Sequence, residues 1–240
     1  MTQRIAMWSG PRNISTAMMR AFENRSDTKV IDEPFYACYL HESGSDHPMR
    51  EEVIASQSTD WQEVIKELCQ YPCDSEYFYQ KHMTHHIPEN MDLQWTMNMK
   101  HCFLIRHPKY VVNSYVQKRE SASSADIGIE RQYRLYSQIS MTTGQNIPVV
   151  DAVRFLSDPA GSLQQICTLL DMPFLPEMLE WPKGRRESDG VWASHWYGNV
   201  ESSSGFKSWK EPRLELDEAQ QQLVKENEHF YELMLEESII

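Results

Sequence analysis

The sequence predicts an α/β fold of three layers, in which a central, mostly parallel five-stranded sheet is flanked by helices. Two observations carry that expectation. Short apolar runs rich in β-forming residues alternate with segments of helical period, and alternating strands and helices pack as a parallel sheet covered on both faces. The stretch "SGPRNIST" (9–16), between the first strand and the first helix, has the build of an anion cradle at a helix N-terminus.

Strands are expected at "RIAMWS" (4–9), "TKVIDE" (28–33), "EYFYQKHM" (76–83), "HCFLIR" (101–106) and "IPVVDA" (147–152). Helical spacing runs over Ser15–Arg25, Asp60–Gln70, Lys109–Arg119, Ile127–Thr143 and Gly161–Leu170. Before the last of these, "SDP" offers Asp158 as a cap and Pro159 as a first-turn residue. A final helix over 217–236 begins with acidic residues that suit its dipole.

Residues 181–212 show neither period and are rich in Gly, Ser and Trp. Four tryptophans and a tyrosine there disfavour disorder, so an ordered irregular loop that closes over a site is expected. No repeat or linker divides the chain, and residues 1–240 are read as one domain.

Composition excludes several function classes. Hydrophobic residues make up 40% and aromatics 11%, and no run approaches the roughly 18 apolar residues of a membrane span. The first strand begins too early for a secretory leader, so a cytoplasmic location is expected. A net charge of -12 argues against nucleic acid as a partner, yet a few converging arginines can still hold a small anion. Cys38, Cys69, Cys73, Cys102 and Cys167 fit reduced thiols, since their spacing matches neither a redox pair nor a zinc site. His82, His85 and His86 lack a further ligand at a sensible spacing, and no metal is expected.

In the cradle, Gly10 and Pro11 set the turn, Ser15 and Thr16 stand where the helix begins, and Arg12 adds a charged fork. Ser15 or Thr16 would equally serve as a plain cap. Arg106 ends an apolar strand and Ser114 follows eight residues later, both at the strand's C-terminal end, where parallel sheets bind ligands. Arg106 needs a counter-charge, either a phosphate or a neighbouring carboxylate.

These stretches resemble a known family. Pro11-Arg12-Asn13-Ile14-Ser15-Thr16 resembles the Pro-Lys-Ser-Gly-Thr-Thr loop of sulfotransferases, and "RHPKYVVNSY" (106–115) resembles their second motif. "IPVVDAVRFLSDPAGSLQQICTLLDMPF" (147–174) is similar to the strand, turn and helix that follow, and "GPRNIST", "DEPFYA" and "YQKHMTHH" resemble a bacterial-type subgroup. The resemblance implies a P-loop-type fold and 3′-phosphoadenosine 5′-phosphosulfate as co-substrate. Arg12, Asn13, Ile14, Ser15 and Thr16 would hold its 5′-phosphosulfate, and Arg106 and Ser114 its 3′-phosphate. It further implies sulfuryl transfer to a hydroxyl or amine of a small molecule or sugar, without metal; a monomer or homodimer is expected.

Arg12 stands where the family has a catalytic lysine, and it keeps the charge without being able to give up a proton. Two general bases are open. Glu33 resembles the acidic base of carbohydrate-type enzymes, and His82 resembles the histidine of a Lys-Thr-His segment. His82 follows Lys81 directly, one residue early, which in a strand turns it to the other face. Lys207 or Lys210 would help cover the 3′-phosphate, and Trp181, Trp192, Trp196 and Trp209 would line an acceptor pocket or form the loop's own core. Two other readings stay open: a P-loop kinase, for which Asp151 offers a magnesium carboxylate, and a non-catalytic nucleotide-binding module.

Overall fold

In the computed structural model, which describes residues 2–117 and 122–239, all five expected strands form one sheet. They are β1 (Gln3–Ser9), β2 (Thr28–Asp32), β3 (Tyr77–Met83), β4 (Lys100–Ile105) and β5 (Val149–Asp151). Every pairing is parallel, in the order β2-β3-β1-β4-β5. The register sets Ser9 opposite Met83 and Leu104, Asp32 opposite Lys81, and Ile105 opposite Asp151, so the C-terminal strand ends share one rim. From that rim the chain leaves β1 towards β2 and leaves β4 towards β5 on the opposite side. Their exits diverge, which opens a crevice of the kind that binds ligands in such sheets.

The helices follow in chain order: α1 (Ser15–Glu23), α2 (Tyr36–Ser43), α3 (Arg50–Ser56), α4 (Trp61–Cys69), α5 (Pro108–Val116), α6 (Ser124–Ile127), α7 (Ile129–Thr143), α8 (Ala152–Ser157), α9 (Pro159–Leu169), α10 (Ala193–Trp196), α11 (Gly198–Glu201) and α12 (Glu218–Glu236). The expected end of the fifth helix, at Lys118 and Arg119, lies outside the described residues. The expected helix over 127–143 is divided at Gly128, whose left-handed φ of 70° ends α6 before α7 begins. Asp151 ends β5, within the strand expected there, and also caps α8 through the N–H groups of Val153 and Arg154. Asp158 caps α9 with Pro159 in its first turn, and Asp217 forms a capping box with Gln220 at the start of α12. No described helix is long and apolar enough to cross a membrane.

Alternation along the strands divides the core in two. Trp8, Phe78, Phe103 and Ile105 face α4, α5, α7 and α12, whereas Ile5, Met7, Tyr79 and Leu104 face α1, α8 and α9. A third cluster joins Tyr36, Leu40 and Val53 of α2 and α3 to Trp192 and Tyr197 of the late segment. Burying each such large side chain is worth about 1.5–3 kcal/mol, so this cluster fixes the late segment over the rim. The expected order of that segment therefore comes from its own aromatics. Trp181 packs on Phe206 in the sheet core, Trp192 is buried against α2, and Trp209 meets the edge of Tyr110.

Candidate active site

The pairing of β1 with β4 places the turn after β1 against the turn after β4. Gly10 eases that approach: a Cβ there would stand 3.1 Å from Oε1 of Gln132, which would have to give by a few tenths of an ångström although its amide donates to the Leu104 carbonyl at 2.8 Å. Asn13 fastens the loop in the same way: its Nδ2 donates to the Leu104 carbonyl at 2.9 Å, and its Oδ1 accepts from the Ile14 N–H at 2.8 Å. Ile14 precedes α1 without any side-chain cap, so the first-turn N–H groups of α1 are left for a ligand. Ser15 and Thr16 stand at that opening.

Arg12 adopts a left-handed backbone with φ 56°, and its Nε donates to Ser114 Oγ at 3.0 Å. Arg106 Nη1 donates to the Arg12 carbonyl. Among the described residues neither arginine forms an ion pair with a carboxylate. Burial lowers the pKa of both, and the charge of Arg12 lowers that of Arg106 further. Two adjacent, half-buried guanidinium groups without a counter-ion form an electropositive seat that a phosphate or sulfate would neutralise.

Across the same rim a second constellation is set by β2 and β3. Glu33 extends the pairing by one step through its N–H to the Lys81 carbonyl at 3.0 Å, then turns at φ 42° before Pro34. Lys81 Nζ donates to Asp32 Oδ1 at 2.8 Å, to Glu33 Oε1 at 2.6 Å and to the Tyr197 hydroxyl at 2.6 Å. Two carboxylates thus face one ammonium in a buried place. Burial is the main force raising the Glu33 pKa, with Asp32 adding to it against the pull of Lys81. For Lys81 burial acts downward, but the two carboxylates outweigh it and the net direction is up.

One cavity of about 740 Å³ joins the two constellations. Arg12, Asn13, Ile14, Ser15, Thr16, Arg106, Ser114 and Glu33 all line it, as does Lys207. Lys210 does not, and of the four tryptophans of the late segment only Trp196 does. His82 lies elsewhere. It points into the opposite core, stacked on Trp8 with centroids 4.4 Å apart and sharing a hydrogen bond with Gln80 Oε1. Burial pushes its pKa down to about 3. A base at His82 is therefore corrected: the one-residue shift after Lys81 turns it from the rim into the core, and Lys81 takes the cavity face. His86 lines the cavity instead, with Nε2 4.0 Å from Glu33 Oε2, and burial holds it well below the usual imidazole range.

Sequence reasoning singled out neither Lys81 nor Tyr197, and weighed His86 only as a metal ligand. For Lys81 a signal was present, since a lysine inside an otherwise buried strand demands a paired carboxylate, and "DE" ends the strand that pairs with it in the structure. The Asp151 carboxylate is already occupied, by the α8 cap and by the Tyr231 hydroxyl at 3.0 Å, and is not open to a magnesium ion. Among the described residues no group of three or more His, Cys, Asp or Glu is placed to hold a metal.

Comparison with known proteins bears on the same regions. The chain is 34% identical over 206 residues to the branched-chain-amino-acid aminotransferase-like protein 1 of Arabidopsis thaliana, and 32% identical over 204 residues to its protein 2. Those matches cover 86% and 85% of this chain but 37% and 36% of the relatives, so the chain spans little more than a third of their length. Among solved structures, the sulfotransferase domain of the Synechococcus PCC 7002 olefin synthase superposes with a TM-score of 0.55 at 16% identity, covering 94% of each chain. The sulfotransferase domain from the curacin biosynthetic pathway gives a TM-score of 0.52 at 14% identity, covering 94% of this chain and 97% of its own. At such identities these likenesses show the fold, a parallel sheet between helical layers. The sulfotransferase domain family matches residues 3–237, nearly the whole sequence, and the chain belongs to that family.

Proposed function

We propose that the chain transfers a sulfuryl group from 3′-phosphoadenosine 5′-phosphosulfate to a hydroxyl, or an amine, of a small-molecule or sugar acceptor. The observation that carries this reading is the convergence of Arg12, Arg106 and Ser114 on the uncapped start of α1, with no carboxylate paired to either arginine among the described residues. A donor with phosphate groups at two places would meet charge at both ends of such a seat. Arg106 and Ser114 would hold the 3′-phosphate, while Arg12 and the N–H groups of Ser15 and Thr16 would hold the 5′-phosphosulfate.

In the transfer, the acceptor oxygen forms a bond to sulfur as the bond from sulfur to the 5′-phosphate oxygen breaks, leaving adenosine 3′,5′-bisphosphate. Charge builds on the departing phosphate oxygen, where Arg12 and the helix start lower the barrier electrostatically. The acceptor's proton goes to Glu33. Its raised pKa suits this step, because a base works best when its pKa lies near the working pH. Accepting that proton also relieves the excess negative charge of Asp32 and Glu33 around Lys81.

Calorimetric titration with adenosine 3′,5′-bisphosphate in the presence of EDTA, followed by labelled-donor transfer to a panel of phenols, alcohols and sugars, tests the reading. Metal-independent binding and a sulfated product are expected. Magnesium-dependent ATP binding without affinity for the bisphosphate would overturn it.

A further inference from the structure

The late segment contributes a side chain to the carboxylate pair at the rim. Asp189 anchors that segment, taking Arg20 Nη2 at 2.6 Å on each oxygen, and the Gly190 N–H donates to Asp32 Oδ2 at 3.3 Å. Trp192, buried against α2, then donates its indole N–H to the Tyr197 hydroxyl at 3.1 Å. That hydroxyl receives Lys81 Nζ at 2.6 Å and directs its own proton to Asp32, with Oδ2 at 2.7 Å and Oδ1 at 2.9 Å. Glu33 Oε1 lies behind at 3.4 Å.

The two neighbouring carboxylates end up in different states. Asp32 receives donors on both oxygens, from Lys81, Tyr197 and Gly190. Glu33 has Lys81 on Oε1, while His86 Nε2 stands 4.0 Å from its Oε2. The groups facing Glu33 are therefore Asp32 at the end of β2, Lys81 of β3, His86 just after β3 and Tyr197 of the late segment.

We propose that Tyr197 is a positioning residue of the transfer reaction: its hydroxyl occupies Asp32 and steadies Lys81 between the two carboxylates, so that Glu33 is the one left with an oxygen for the acceptor's proton. This rests on the reading of Glu33 as the base. Tyr197 touches neither donor nor acceptor in this role and acts through Lys81 and Asp32.

Without the hydroxyl, Asp32 loses a donor and draws Lys81 towards itself, so Glu33 keeps less of the ammonium and holds its proton to higher pH. Without the Asp32 charge, Lys81 serves Glu33 alone and the proton leaves at lower pH. The two changes move Glu33 in opposite directions, which a merely structural tyrosine would not do.

Infrared difference titration of the full chain, with the Glu33 carboxyl band identified by its loss in Glu33→Gln, reads this directly. Tyr197→Phe is expected to move the midpoint up by about one pH unit and Asp32→Asn down by a similar amount. A Tyr197→Phe midpoint that stays in place or moves down overturns the proposal. If Tyr197→Phe does not fold, Trp192→Phe, which removes the N–H that orients the hydroxyl, decides by an upward shift or its absence. Labelled-donor transfer to the hydroxyl panel separates the levels. If Glu33→Gln retains transfer, the base reading falls and takes this inference with it; if it abolishes transfer while the Tyr197→Phe midpoint stays put, this inference alone falls.

Discussion

Arg12 Nε and Ser114 Oγ meet at 3.0 Å, tying the turn after β1 to the helix after β4 across 102 residues of sequence. The bond aims a guanidinium that has no carboxylate partner among the described residues. Arg12→Ala and Arg106→Ala are each expected to weaken binding of adenosine 3′,5′-bisphosphate by about 10- to 100-fold, the worth of a charge-assisted hydrogen bond. Ser114→Ala should cost less, about 5-fold, since it loosens the aim and leaves the charge. Titration calorimetry on the three variants checks the order.

Glu33→Gln keeps the shape and removes the proposed proton acceptor. Transfer to any accepted hydroxyl should fall by about 10²- to 10⁴-fold, with binding of the bisphosphate nearly unchanged, because Glu33 follows β2, two strands along the sheet from the β1 turn that carries Arg12. The pH profile carries a sign. As the proposed base, Glu33 would work deprotonated, and its pKa is raised by burial, so the rate should rise with pH along a limb above the ordinary carboxylate range. Steady-state rates of wild type and variant across pH 5–9 would show the limb and its loss.

Stability should fall on acidification before the acidic residues titrate. Burial holds His82 and His85 at about 3 and His101 at about 4, and His86 well below its usual value, all against about 6.5 in an unfolded chain. Between 6.5 and the folded values the unfolded state binds protons that the folded state refuses. The stability is thus full above 6.5 and is lost as pH drops, by about 1.4 kcal/mol per pH unit for each such histidine. His82→Phe, which keeps the stack on Trp8, should lower the slope of Tm against pH between 7 and 5 by roughly one proton's worth. Calorimetric scans at several pH values measure it.

Arg20 and Asp189 form a buried ion pair that fixes the late segment to α1. Asp189→Ala leaves the guanidinium with Glu23 as its one carboxylate partner among the described residues, with Arg20 Nε already without a partner, and should cost about 1.5–3 kcal/mol in urea unfolding. Replacing both partners with Met and Leu should recover part of that loss, because the buried pair is gone while Glu23 keeps only the Ser188 hydroxyl.

The strands were legible because parallel strands covered on both faces are written as short, nearly unbroken apolar runs, as in "HCFLI" of β4. Helices α2 and α3 were not, since they are brief and the aromatic residues of α2 face a third cluster that forms only when the late segment folds over them. The arginine seat was readable because two motifs, the loop that carries Arg12 and the eight-residue spacing of Arg106 and Ser114, follow the ends of strands that pair as β1 and β4. Lys81 was harder: two polar neighbours in a strand differ only in the face they take, and the register that decides it comes from the partners. Tyr197 carried no local signal, for its partner Asp32 lies 165 residues away.

Arg12 and Glu33 share one further property. Both hold a left-handed backbone, at φ 56° and 42°, a conformation that costs an ordinary side chain about 1–3 kcal/mol. Glycine or asparagine would adopt it more easily. A library of variants screened for heat resistance alone would thus enrich replacements at positions 12 and 33 early, and the survivors would be sturdier proteins with an emptied site. Robustness and reactivity are set against each other at the same two backbone positions, so any stabilised version of this chain has to find its gains elsewhere, in the caps, the surface and the sheet.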